Sequence, residues 1–198
     1  GYEIIAVHFN YGQRTQDREL KAFRDICNDL KILEKYEIDI PFFTQIGASA
    51  LTDKNIDVPT NGIEVGVPIT YVPFRNGIFL SIAAAVAEKE EATAMYIGVV
   101  QEDSSGYPDC TDDFINDMKK AINQGTKEDT HINIITPLVH LSKAQIVQEA
   151  IKLKVPLEHT WSCYKEESEA CGVCDSCRLR LNGFKIANQI DPIPYKSL

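Results

Sequence analysis

Four of the six cysteines fall within the last 36 residues, at Cys163, Cys171, Cys174 and Cys177, in the pattern C-x7-C-x2-C-x2-C. Four thiolates are the full ligand set of a tetrahedral Zn2+, with no position left for water. The pattern therefore predicts one structural metal ion rather than a catalytic one. Two-residue spacers let three ligands wrap the ion from a tight knuckle, and the seven-residue spacer brings back the fourth. The competing readings are an iron–sulfur cluster, in which C-x2-C-x2-C also occurs, and four unrelated thiols. A disulfide framework would instead spread its cysteines along a small secreted chain, so the crowding points to a reducing, cytoplasmic setting. Structural zinc contributes roughly 10–16 kcal/mol of apparent binding energy in small peptides, so losing it should unfold this segment. Cys27 lies on a helical stripe and is expected in the core; Cys110 belongs to a loop motif.

Ahead of this knot the chain alternates between two periodicities. Glu3–Asn10 is an apolar run rich in Ile and Val, as in a strand covered on both faces. From Gln13 to about Lys35 the stripe Leu20, Phe23, Ile26, Cys27, Leu30 and Leu33 is helical. Tyr36–Phe43 reads as a second strand, and 44–72 as a long functional loop of turn formers. Arg75–Glu90 is a helix apolar nearly all round, hence buried, followed by a strand at Ala94–Val100. A helix over Asp112–Asn123, a strand over Ile132–Thr136 and a helix over Ser142–Lys154 complete the series, the last opened by the capping box Ser142-Lys143-Ala144-Gln145. This order predicts an α/β fold, a Rossmann-like parallel sheet with helices on both faces, over residues 1–157. A small helical zinc-binding lobe over 158–198 follows. The composition agrees: 198 residues, 44% apolar, can bury a core of this kind. Twenty Lys and Arg against 29 Asp and Glu give a formal net charge of -9, which argues against a surface that tracks nucleic-acid phosphates. No apolar run approaches the roughly 18–20 residues that span a bilayer, and no signal-peptide pattern opens the sequence.

Three segments do not look like packing. His8-Phe9-Asn10-Tyr11-Gly12-Gln13-Arg14 lies at the C-terminal end of the first strand, where open α/β sheets bind ligands. Phe9, Asn10, Tyr11 and Arg14 are therefore candidate nucleotide contacts; a strand end and a polar helix start are the plainer explanation. In Val72-Pro73-Phe74-Arg75-Asn76 a Pro-stiffened loop delivers Arg75 to a helix N-terminus, a place for phosphate or a substrate carboxylate, or for an ion pair within the helix. Glu102, Asp103 and Asp109 flank Tyr107 beyond a strand end, carboxylates suited to the N–H donors of a purine-like base unless they form a solvated loop. No residue declares itself as a catalytic acid, base or nucleophile. His8, His131, His140 and His159 are expected to be structural, Trp161 to pack the lobe onto the core, and Glu166–Glu169 to be a solvated face.

HFNYGQR, VPFRNGIFL, SGYPDC and the four-cysteine tail with RLRLNGF, in this order along the chain, resemble the 7-cyano-7-deazaguanine synthase family. That family belongs to the ATP pyrophosphatases of adenine-nucleotide α-hydrolase type. The resemblance implies an ATP-dependent ligase that turns 7-carboxy-7-deazaguanine and ammonia into the nitrile, a step toward queuosine. It implies ATP with Mg2+ as co-substrate, one structural Zn2+ per chain and a cytoplasmic homodimer, with no direct nucleic-acid or membrane partner. Members open with a strand and an SGGxDS phosphate loop, absent from this sequence. Glu3–Asn10 matches their second strand, so the resemblance implies that roughly 25 residues of a strand–loop–helix unit precede Gly1 in the parent protein. Two other functions fit parts of the pattern: another, tRNA-modifying ATP pyrophosphatase, and a non-catalytic zinc-stapled binding module. The acidity favours a small substrate over a polyanion.

Overall fold

The computed structural model describes residues 2–62, 66–101 and 106–196. They form two compact units, one from residues 1–64, 69–72 and 143–198, the other from 65–68 and 73–142. The fold is α/β with parallel strands, which fall into two separate two-stranded sheets among the described residues.

In the first unit β1 (Ile5–Asn10) pairs in parallel with β2 (Glu34–Asp39), Ile5 opposite Glu34 and Asn10 opposite Asp39. Parallel neighbours need a crossover, and α1 (Gln16–Asp29) supplies it. Asp17 and Glu19 in its first turn suit the positive end of the helix dipole. The helix ends six residues before the expected Lys35. Lys31 adopts φ 57, and the N–H groups of Lys31 and Ile32 return to the carbonyls of Asn28 and Cys27, a Schellman closure made without glycine. The same closure ends three further helices, with Glu91, Lys154 and Asn188 in the left-handed position. The expected strand end at Phe43 is also corrected. Pro41 cannot donate to a ladder, and it opens a short helix, α2 (Phe42–Ile46), that buries Phe43 completely.

Two more helices of this unit, α5 (Lys143–Lys152) and α6 (Asp175–Ile186), cross closely. A Cβ on Gly183 would stand 2.8 Å from the Cβ of Lys143, so the crossing needs glycine there. Phe184 of α6 and Ala187, which caps it, bury against Val147 of α5. The tail after α6 is clasped by a forked pair: Arg180 donates from Nε and Nη2 to the two oxygens of Asp191 at 2.7 and 2.8 Å, and Tyr195 donates its hydroxyl to Asp191 at 2.7 Å. Tyr195 then bridges Ala170, and Ala170 donates its N–H to Pro194 O at 2.8 Å.

The second unit is built on α3 (Arg75–Lys89), within one residue of expectation, and α4 (Asp112–Gly125). Phe74, before α3, adopts φ 54 and folds its ring back over Gly77, where any Cβ would overlap it. Thr111 caps α4 by accepting the N–H of Phe114 at 3.3 Å. Between the helices β3 (Ala94–Tyr96) pairs in parallel with β4 (Asn133–Ile135). Both strands are shorter than the expected Ala94–Val100 and Ile132–Thr136, because Pro137 removes the next donor of the ladder. The core joins Leu80 and Ala84 of α3 to Met95, Ile115, Ile132 and Ile134.

Candidate functional site

The four C-terminal cysteines converge as the spacing requires. Their Sγ atoms all lie within 4.8 Å of one another, and Cys171 and Cys177 are 3.9 Å apart. Bonds of ~2.3 Å to a tetrahedral ion put neighbouring sulfurs ~3.8 Å apart. None of the four residues is more than 9% exposed. Backbone N–H groups point at the sulfurs as they do around thiolates: Lys165 and Cys171 donate to Cys163 Sγ, and Cys174 to Cys171 Sγ, each at 3.4 Å. Hydrogen bonds from Cys174 and Cys177, and then these amides, hold the Cys163 thiol far below its ordinary range. The same sharing with Cys163 pushes Cys174 up to about 11 and Cys177 higher still. By number, softness, spacing and burial, the set can hold a metal ion.

The shell around it reaches well beyond the C-terminal segment. Ala50 and Val58 pack in the same apolar cluster as the cysteines, with Ala170, Ile193, Trp161, Tyr164 and Tyr195. Trp161 donates Nε1–H to Glu166 O at 3.1 Å, and the Arg18 guanidinium lies over its ring at 4.4 Å. Glu166, expected in a solvated run, is paired with Lys196 at 2.8 Å.

At the C-terminal end of β1, the structure gathers Asn10, Tyr11 and Arg14 beside half-buried Phe9. Asn10 donates Nδ2–H to Asp39 at 2.8 Å, and its Oδ1 lies 3.0 Å from His8 Nε2. Burial lowers the His8 pKa, opposed by the Asn10 hydrogen bond; its ring stacks on Phe23 at 5.2 Å. Tyr11 is buried edge-on to Phe43. Gly12 takes φ +80 where a Cβ would overlap Thr44. Gln13 and Gln16, which sequence reasoning passed over, close this turn by accepting the N–H groups of Tyr11 at 2.9 Å and Gly12 at 3.2 Å. Arg14 turns its guanidinium onto the carbonyls of Ala50, Asp53 and Ile56.

In the second unit Asp109 lies at the N-terminus of α3, which opens at Arg75, while Tyr107 packs against the core. Asp109 is 3% exposed, and its Oδ2 accepts the N–H of Asn76, in the first turn of the helix, at 2.9 Å. A carboxylate is the natural partner of that positive helix end. Asn76 also donates Nδ2–H to Asp109 O and Cys110 Sγ, each at 3.2 Å, locking the turn Pro108–Cys110 to the helix. The Arg75 guanidinium stands 5.6 Å from the Phe79 ring. Asn76 was missed from sequence; a polar residue in the first turn of an otherwise apolar helix was the available signal. Glu102 and Asp103 lie outside the described residues.

These features define an α/β protein with polar turns at the C-terminal end of a parallel strand and a metal-competent four-cysteine centre. The family model described as queuosine biosynthesis protein QueC matches residues 1–188, and the chain belongs to that family. It is 85% identical over 196 residues to a 7-cyano-7-deazaguanine synthase of Aliarcobacter butzleri, covering 99% of this chain and 86% of the relative. Proteins of the same name from Nautilia profundicola and Sulfurimonas denitrificans are 71% and 68% identical, over 99% and 98% of this chain and 88% and 87% of theirs.

Proposed function

We propose that this chain catalyses the ATP-dependent conversion of 7-carboxy-7-deazaguanine and ammonia to 7-cyano-7-deazaguanine, a step toward queuosine. The observation that carries the reading is 85% identity to a synthase of that name over nearly the whole chain. A carboxylate is a poor electrophile. Attack of its oxygen on the α-phosphorus of ATP expels pyrophosphate and leaves an acyl adenylate. Ammonia then displaces AMP to give the amide and gives up a proton. The amide oxygen attacks the α-phosphorus of a second ATP, expelling pyrophosphate as the nitrogen gives up one proton, and loss of AMP and the second proton from that adduct leaves the nitrile. The work left to the protein is positioning and charge stabilisation.

In this reading the fold is Rossmann-like, of adenine-nucleotide α-hydrolase type, over residues 1–157. ATP, with Mg2+, lies off the end of β1 against Phe9, Asn10 and Tyr11, with Arg14 in support. The deazaguanine acid lies at the N-terminus of α3, with Arg75 toward its carboxylate and Tyr107 against the ring. Asp109, with Glu102 and Asp103, accepts the base N–H groups. Residues 158–198 form a lobe around one zinc ion held by Cys163, Cys171, Cys174 and Cys177. With four thiolates that ion supplies a cross-link and no open coordination position. The enzyme works as a cytoplasmic homodimer on small molecules, without contact to nucleic acid or membrane. In support, among the described residues no helix is long and apolar enough to cross a membrane.

Release of AMP tests the reading directly. AMP is expected only when the deazaguanine acid is supplied, with a product of nitrile mass when ammonia is added. AMP formed instead with tRNA or an unrelated carboxylate would overturn it.

A further inference from the structure

The segment 50–60 is held from two sides within the first unit. On one side is Arg14, whose Nε donates to Ala50 O at 2.6 Å and whose Nη2 donates to Asp53 O at 2.9 Å and Ile56 O at 2.6 Å; its own N–H bonds Leu51 O at 3.0 Å. On the other side is the four-cysteine centre. Ala50, wholly buried, and Val58 belong to its apolar shell. Arg178, next to the ligand Cys177, donates to Thr60 O at 2.8 Å. The residue after Arg14 reaches the same centre: Thr15, 2% exposed, donates its hydroxyl to Glu19 Oε1 at 2.8 Å and stands 3.2 Å from Cys163 O. A guanidinium bonded to three carbonyls makes charge-assisted bonds in two directions, which a lysine ammonium reproduces poorly. The turn Tyr11–Arg14 and the cysteine knot therefore share one intermediate layer, and neither can shift without it.

We propose that Arg14 is a positioning residue that couples the four-cysteine metal centre to the turn at the end of β1. Metal in the centre orders segment 50–60, that segment fixes Arg14, and Arg14 anchors the C-terminal end of the turn whose N–H groups Gln13 and Gln16 hold. The consequence for ATP rests on the function proposed above, but the coupling itself does not. Such coupling is reciprocal in free energy: what loosens Arg14 must also weaken the hold on the metal.

The test uses zinc-loaded protein, wild type and the variants Arg14→Met and Arg14→Lys, with Arg24→Met, which removes the exposed pair with Glu37, as control. At equilibrium with a chromophoric chelator, zinc should be held about tenfold more weakly by R14M than by wild type, with R14K intermediate and R24M unchanged. Amide hydrogen exchange over 50–58 should accelerate in R14M and in metal-stripped wild type alike, while α1 keeps its protection, showing that the first unit of the variant is folded. The KM for ATP should rise with the KM for the deazaguanine acid unchanged. Wild-type zinc release and exchange in R14M would overturn the coupling. Greater zinc release at equilibrium and faster exchange in R14M would uphold it even if the wild-type enzyme made no AMP from the deazaguanine acid; that result would overturn only the function.

Discussion

The two units solve one problem by different means. Each has a parallel strand whose C-terminal end leads into a polar turn, and each must pin that turn without a ladder to hold it. The first unit uses long-range contacts: Arg14 reaches carbonyls 36 to 42 residues away, behind which stands a cluster of four thiols. The second uses a helix end, where the N–H of Asn76 takes the Asp109 carboxylate and the Asn76 amide takes the backbone of the same turn. One turn is braced against four thiols that can hold a metal ion; the other is held by a carboxylate and an amide side chain at a helix end. Removal of a metal ion held by the four thiols should thus strike the first unit and spare the second.

The largest expected effect is that of Cys174→Ser. In the proposed zinc centre, removing one of four ligands forfeits part of an apparent binding energy of ~10–16 kcal/mol, a total comparable with the whole stability of a domain. Hydrogen exchange should show α6 and segment 50–58 unprotected, with α3 and α4 still protected; if α3 and α4 open as well, the contrast between the units is wrong. Next comes Asp109→Ala, which leaves the buried Asn76 N–H without its carboxylate and should cost about 1–3 kcal/mol in urea denaturation, with zinc content unchanged. Asp109→Asn, which keeps an acceptor, should cost less.

Those two sites were not equally legible. The metal site was written in one local pattern, four cysteines within fifteen residues, and so was readable. The turn pinned by Arg14 was not, because its partners are backbone carbonyls, and a sequence does not show where carbonyls point. The helix α3 was found almost to the residue, since its apolar run is dense and Pro73 precedes it. Helix ends were harder. Lys31 and Asn188 close their helices in the left-handed conformation without the glycine that would mark it, so α1 was read too long. The strands β3 and β4 were overextended because an apolar run records burial, not pairing. Asp109 was singled out for its chemistry, but its engagement with a helix end 33 residues earlier had no signature in the residues around it.

The smallest effect sharpens the comparison through pH. Burial lowers the His8 pKa from 6.5 in the folded first unit. Above that pH both folded and unfolded states are neutral at this ring. As pH falls below 6.5 the unfolded chain takes up the proton first, so stability declines. The slope should be well under about 1.4 kcal/mol per pH unit, since the ring is only part-buried and solvent screens it. His8→Gln should flatten stability between pH 5 and 7 in urea titrations, with no change in the response of Asp109→Ala.

The clasp on the C-terminal tail carries a consequence for brine. Arg180 and Asp191 are only 12% and 4% exposed at their side chains, whereas Lys120 and Asp117 on α4 are 71% and 75% exposed. Mobile ions within a Debye length of ~8 Å at physiological ionic strength neutralise pairs they can surround, and they cannot surround the first. Concentrated salt will therefore erase the charge pattern of the helix surfaces while Tyr195 stays seated beside the cysteine loop. The joint that keeps the tail next to the metal ligands is a dry one.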